Sequence, residues 1–328
     1  MKALIEAFAS QIEKGIEIFE ANPPKSVSGK FANVVISGLG GSGIGGTIIK
    51  DLSAGFSKIP VIVNKEYGIP AFVGSDTLFI ASSYSGDTEE TIAAVELAIQ
   101  RKATIVCITS GGKLANIAKQ NNLDILIIPG GSPPRANLGY SLTQLICIFS
   151  SIGLLPASYK NDLINSISFL RLAQQDILEK AKIIAAQIHN KRVVIYSDAS
   201  HEGVAVRFRQ QLNENSKMLC WHHVVPEMNH NELVGWSEKL DDHAVVFLRN
   251  NSDHNRNQHR IDINKVIVNG YASTVIEVWA DGKNELENTM YIIHLVDWIS
   301  YFLAEMKGVD IMDIQVIDFL KKKLSEID

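Results

Sequence analysis

The sequence predicts an α/β protein: two parallel sheets, each flanked by helices, side by side in one chain of 328 residues. Three observations carry this. Short runs of β-branched and aliphatic residues recur without polar alternation, as strands buried on both faces require. Segments with apolar residues at helical spacing separate those runs. The same strand–helix order then resumes after the Gly153–Pro156 break, which divides residues 1–155 from 156–328.

Taken in order, a helix is expected over about residues 1–20, ended by Asn22-Pro23-Pro24. NVVISGL (33–39) reads as a strand, with a helix after it from about Ile44. PVIVN (60–64) and TLFIASS (77–83) are two more strands, and a helix follows from about Asp87. TIVCIT (104–109), a helix near 113–121, the strand LDILIIP (123–129) and an apolar helix over 137–151 complete the first half. The second half opens with a helix at 161–189 and the strand RVVIYSD (192–198), with a helix over 202–213. AVVFLRN (244–250) and TVIEVWA (274–280) are its further strands, and helices cover 285–306 and about 313–325. The apolar helix 285–306 suits either core or an interface.

Composition narrows the partners. With 31 basic and 36 acidic side chains the formal net charge is −5, so nothing marks a nucleic-acid binder. The three cysteines, Cys107, Cys147 and Cys220, are scattered and odd in number. That argues against a disulfide scaffold and for buried spectators in a reducing compartment. The N-terminal helix lacks the pattern of a secretory signal, and no apolar run is long enough to span a bilayer. A cytoplasmic location is the expectation, with no membrane partner.

Three loops after strands carry the chemistry. Gly38-Leu-Gly40-Gly41-Ser42-Gly43 opens a helix, so residues without Cβ let an anion approach free backbone N–H groups. Its Gly38, Gly40 and Gly43 also satisfy the dinucleotide spacing, which brings in a nicotinamide dehydrogenase as a rival. In the second loop, Ser83, Ser85 and Thr88 place three hydroxyls around one turn, suited to the terminal oxygens of a phosphate monoester. The bland alternative is that Asp87 or Thr88 caps the next helix. The third loop, 129–135, ends in Pro133-Pro134-Arg135, where an arginine could pair with phosphate or steady a developing oxyanion, or form only a surface ion pair.

GLGGSGIGG, SSYSGDTEET, SPPRANL, LNENSK and IDFLKKKL, in that order from about residue 30 to 325, resemble the bifunctional phosphoglucose/phosphomannose isomerases. These belong to the sugar-isomerase (SIS) domain proteins of the phosphoglucose isomerase superfamily. The resemblance implies two Rossmann-like SIS subdomains and a cofactor-free aldose–ketose isomerase acting on sugar 6-phosphates. It implies that Gly41, Ser42, Ser83, Ser85 and Thr88 hold the phosphate. It also implies Arg135 beside the enediolate, Glu214 as the base, His230 and Lys321 in ring opening, and a homodimer in which His230 acts in trans. Relatives often carry Asn where Asp87 stands, so Asp87 is expected to face a helix N-terminus or solvent.

No metal is called for. His222 and His223, with Glu227 and His230 nearby, invite a metal reading, but adjacent residues of a strand point to opposite faces. A non-catalytic sugar-phosphate sensor, the remaining rival, would need the serine loop but not Glu214, His230, Arg135 and Lys321 together.

Overall fold

The computed structural model describes residues 1–327. Helices α1 (Lys2–Glu6) and α2 (Phe8–Ala21) lead into strand β1 (Asn33–Ser37), helix α3 (Gly40–Ser53) and strand β2 (Val61–Asn64). Strand β3 (Thr77–Ser82), α4 (Glu89–Gln100), β4 (Thr104–Thr109), α5 (Gly112–Gln120) and β5 (Asp124–Ile127) follow. The five strands pair in the order β2-β1-β3-β4-β5, every pair parallel. Every residue of β1 and β3 is buried, which is why their sequences run apolar without alternation.

Helices α6 (Leu138–Ser151) and α7 (Ser158–Ile188) connect to the second sheet. It holds β6 (Arg192–Asp198), β7 (Cys220–Val225), β8 (Leu240–Arg249) and β9 (Ala272–Trp279), again all parallel, in the order β7-β6-β8-β9. Helix α8 (Glu202–Glu214) joins β6 to β7, and α9 (Asn255–Val268) joins β8 to β9. Helices α10 (Glu285–Lys307) and α11 (Gln315–Leu324) complete the chain.

Two expectations change. Helix α3 begins at Gly40, inside the glycine loop, instead of near Ile44. Glycine disfavours helix by about 1 kcal/mol per residue relative to Ala, but the first turn is packed against neighbouring backbone and tertiary contact overrides propensity. Strand β7 carries the extended His222-His223 pair but has no place in the expected strand order. It is an edge strand, only partly buried over most of its length, so CWHHVV lacks the apolar run of its neighbours.

The core settles the role of α10. One continuous apolar cluster joins the facing sides of both sheets through α2, α6, α7 and α10, and Met290, Ile293, Leu295 and Trp298 lie fully inside it. Each such side chain stabilises by about 1.5–3 kcal/mol. Smaller clusters cover the outer faces, with α4 and α5 on the first sheet and α9 on the second. Cys107 is buried while Cys147 and Cys220 are half-buried, and burial pushes all three thiols up, to about 12, 12 and 11. Among the described residues no helix is long and apolar enough to cross a membrane.

In each sheet the chain reverses its direction of growth once, between β1 and β3 and between β6 and β8. Crevices form at the strand C-termini at such points.

Candidate active site

The first crevice collects all three loops. Gly41 lies in the first turn of α3, where a Cβ would come 2.7 Å from Arg135 N and 2.9 Å from its Cα. Only a bare glycine lets α3 press on the Pro134-Arg135 backbone. Gly38 is needed for a similar reason, since a Cβ there would sit 2.5 Å from the Ser82 carbonyl oxygen. The glycine spacing thus has a packing explanation that asks for no dinucleotide.

Hydroxyls tie the loops to one another. Tyr84 N donates to Ser42 Oγ (2.9 Å), and Ser82 Oγ donates to the Ser42 carbonyl (3.0 Å). The Tyr84 hydroxyl meets Ser132 Oγ at 3.3 Å, linking the second loop to the third. Within the second loop Ser83 Oγ donates to Thr88 Oγ1 (3.0 Å), and Ser85 Oγ accepts from Asp87 N (3.2 Å). Ser83 and Ser42 are buried, Thr88 is half-buried and Ser85 is exposed, so the hydroxyls grade from the floor to the rim. Thr88 occupies the N-cap position of α4 without a side-chain cap bond, and no side chain caps α3 either. Those two helix starts keep N–H groups for an anion. Asp87 turns to a helix start as expected, but to that of α5, accepting from Lys113 N at 3.0 Å.

Arg135 is the centre of the assembly. It is 2% exposed, which removes the surface ion-pair reading. Its Nε donates to Asn215 Oδ1 (2.8 Å), one terminal nitrogen to Glu214 Oε2 (3.4 Å) and the other to the Ile311 carbonyl (2.6 Å). Burial pulls its pKa below the ordinary arginine value; Glu214 opposes this and Arg207 adds to it. Glu214 ends α8 and its side chain keeps 27% of its exposure, so the carboxylate touches Arg135 and stays open to solvent. Lys217, in the left-handed region at φ 54°, reaches back to donate to the Glu214 carbonyl and to the Asp313 carbonyl (2.7 Å). Burial and the Arg135 charge lower its pKa.

Two buried contacts hold this constellation from behind. Arg207 donates to the Arg135 carbonyl (2.6 Å) and pairs with Asp297 through two bonds (3.0 and 2.7 Å). Asp51, on α3, accepts from Gly203 N (2.7 Å) at the start of α8. Helix α8 is thereby fixed at one end to the helix of the first loop and near the other to Arg135.

His230 and Lys321 lie outside this hydrogen-bonded constellation. His230 ends a short 3-10 turn (Glu227–His230) after β7 and is exposed, and Lys321 lies on the exposed helix α11. Among the described residues, neither side chain hydrogen-bonds to Glu214, Arg135 or the hydroxyl loops. His222 and His223 sit half-buried on β7; His222 faces Glu202 at 3.7 Å, and His223 Nδ1 accepts from Val224 N at 2.8 Å.

Comparison with known proteins follows the same loops. A bifunctional phosphoglucose/phosphomannose isomerase of Caldicellulosiruptor bescii is 38% identical over 327 residues, covering 97% of this chain and 96% of that one. The chain belongs to this isomerase family. A second member, from Aquifex aeolicus, is 35% identical over 300 residues, covering 90% of this chain and 91% of its own. Residues 30–143 match the SIS domain, and residues 177–324 match the bacterial phospho-glucose isomerase C-terminal SIS domain. Among solved structures, a putative phosphosugar isomerase from Clostridium difficile 630 superposes with a TM-score of 0.76 at 14% identity, covering 95% of this chain and 94% of that one. That likeness concerns the fold.

For this isomerase, sequence reasoning missed Asn215, Lys217, Arg207, Asp297 and the Ile311 carbonyl. Asn215 and Lys217 stand in LNENSK, beside Glu214, and proximity alone would have marked them. Arg207 and Asp297 are charged residues on amphipathic helices, a pattern that ordinarily faces water. The backbone carbonyl at Ile311 leaves no trace in the sequence.

Proposed function

We propose that this isomerase interconverts glucose 6-phosphate and mannose 6-phosphate with fructose 6-phosphate, without a cofactor, through a cis-enediolate. The observation that carries the reading is a partly exposed carboxylate, Glu214, held 3.4 Å from the buried cation Arg135, whose backbone packs on Gly41 of the first loop. The phosphate lies against Ser42, Ser83, Ser85, Thr88 and the N–H groups around Gly41. His230 and Lys321 move the proton from the C1 hydroxyl to the ring oxygen, which opens the sugar. Glu214 then takes the C2 proton, Arg135 balances the charge on the enediolate, and Glu214 returns the proton to C1. One carboxylate that meets the open chain from either C2 configuration serves both aldoses.

In this reading residues 1–155 supply the phosphate end together with Arg135, and residues 156–328 supply the other proton-transfer groups. The protein works in the cytoplasm as a homodimer, with His230 reaching the neighbouring chain's crevice. The exposure of His230, and its lack of a hydrogen bond to Glu214 within one chain, support this. So does the apolar side of α11, where Val316 is 84%, Phe319 62% and Leu320 57% exposed. A sugar-phosphate sensor has no use for a carboxylate paired with a buried arginine.

The test is Glu214→Gln, which keeps shape and polarity but accepts no proton. Binding of a nonreactive sugar-phosphate analogue should survive in calorimetry, while aldose–ketose conversion and C2 proton exchange in deuterated water both collapse. Exchange that continues at the wild-type rate with either epimer would refute the assignment of the base.

A further inference from the structure

The crevice of the second sheet, between the C-terminal ends of β6 and β8, carries a cluster that the isomerisation does not use. Asp198 ends β6, His201 precedes α8, and Asp253 follows β8. One ligand atom from each lies within 4.8 Å of the others. Glu285, at the start of α10, completes the group at 2.6 Å from His201 Nε2.

The carboxylates are deeply placed, Asp198 at 3% and Asp253 at 4% exposure. Asp198 is well supplied with donors: Ser200 N and Oγ at 2.8 Å each, and Asn257 Nδ2 at 2.7 Å. Asp253 is not. Its Oδ2 accepts from Asn250 N at 3.0 Å, but its buried Oδ1 takes part in no hydrogen bond, although His201 Nδ1 lies 3.1 Å away. That leaves a buried carboxylate oxygen with only the His201 ion-pair contact. Beside it is a small cavity lined by polar residues that include His201, Asn250 and Asp253, by Arg249, and by the apolar Val204, Leu248 and Ile292.

We propose that Asp198, His201 Nδ1 and Asp253 Oδ1 form a structural site for one divalent transition-metal ion, Mn²⁺ or Zn²⁺, at the second switch point. One imidazole with two carboxylates is a ligand set both ions accept. Metal–ligand bonds of about 2.1 Å put tetrahedral ligand atoms about 3.4 Å apart, so a pair as wide as 4.8 Å closes by about 1.4 Å on binding. His201 Nε2 faces the Glu285 carboxylate, and that second carboxylate is how metal-bound histidines are usually oriented. Asn250 Nδ2 lies 2.9 Å from the same nitrogen.

Charge points the same way. Three carboxylates, Asp198, Asp253 and Glu285, meet here, and the nearby Arg249 is already paired with Asp262 and Glu277. A dication would offset two of those three negative charges. Helix α8, with 13 residues at 1.5 Å each, sets this site roughly 18 Å from Glu214. The ion would pin the end of β6, the loop after β8 and the start of α10, outside the reaction.

The full-length protein, stripped with a chelator and desalted, is titrated with Mn²⁺ and followed by loss of the free-ion EPR signal. One saturable site per chain is expected, with nitrogen coupling from a single imidazole in the bound spectrum. His201→Gln should abolish that coupling, and Asp253→Asn should weaken binding by about 100-fold. Zn²⁺ should compete for the same site and raise the Tm of the wild type but not of Asp253→Asn. Absence of saturable binding up to about 1 mM in the wild type would overturn the proposal and leave a protonated ion-pair cluster. Binding that both variants retain at wild-type strength would overturn it equally, by placing the ion elsewhere. The wild-type spectrum decides the matter even if a variant fails to fold.

Discussion

Replacing Asp297 with Asn tests how the site is held. Asp297 is 5% exposed and accepts two bonds from Arg207 and one from Gln211 (2.8 Å). Arg207 is 1% exposed, and one of its terminal nitrogens already lacks a partner. Loss of the carboxylate leaves a buried guanidinium without its counter-charge, which costs about 3–5 kcal/mol. At a few degrees per kcal/mol, the Tm should fall by roughly 6–15 °C. Arg207 also carries the Arg135 carbonyl, so activity should suffer beyond the stability loss. At a temperature where the variant is folded, kcat should drop by about tenfold or more, because small misplacements of a reacting group are expensive, while KM changes little. The double variant Arg207→Met/Asp297→Leu separates the two effects. Replacing a buried ion pair with apolar residues is often close to neutral in stability, so Tm should largely recover while kcat stays low. If Asp297→Asn costs under about 1 kcal/mol, the pair is not the anchor inferred here. If the double variant regains full activity, the positioning of Arg135 through its carbonyl is wrong.

Three further outcomes are expected. Ser85→Ala should weaken binding of a nonreactive sugar 6-phosphate by roughly ten- to a hundredfold in calorimetry, at about 1.5–3 kcal/mol per charge-assisted bond. Unchanged affinity would move the phosphate elsewhere. Asp51→Asn should stabilise the protein at pH 8 but not near pH 4. Burial, opposed by the Gly203 N–H, pushes Asp51 from 3.8 up to about 7. The folded state therefore holds a proton the unfolded state has lost; the penalty grows as pH rises from about 4 to 7 and is constant above. Thermal melts across that range would read the difference, and a pH-independent one would contradict it. Finally, Glu214→Gln and His230→Ala proteins, mixed under conditions of proven subunit exchange, should recover up to about half of wild-type activity per mixed dimer, if two-fold assembly shares the sites. No recovery would sink the shared site.

The sequence made the strands legible where both faces are covered, as in β1, β3, β4 and β6, because burial on two sides leaves only apolar choices. It failed at β7, where the sheet edge admits Trp221, His222 and His223, and at the start of α3, where packing against Arg135 overrode glycine's preference. Within the site, the residues that face the crevice stood in readable loops. Those that act from behind did not: Arg207 and Asp297 come from helices 90 positions apart and meet only in three dimensions. The Asp198–His201–Asp253 cluster went unnoticed for the same reason.

The three-way hold on Arg135 has a consequence for how the enzyme spends its structure. Nε is committed to Asn215, one terminal nitrogen to Ile311 and the other to Glu214. A guanidinium so occupied cannot swing toward an arriving sugar, nor does it have to. Its orientation is settled when the chain folds; in the isomerisation proposed above, no dipole then has to turn during proton transfer, and the reacting carbon would meet a fixed electric field rather than a mobile partner. The tail after α10 becomes part of that field's mounting, since its Ile311 carbonyl is one of the three points that aim the charge.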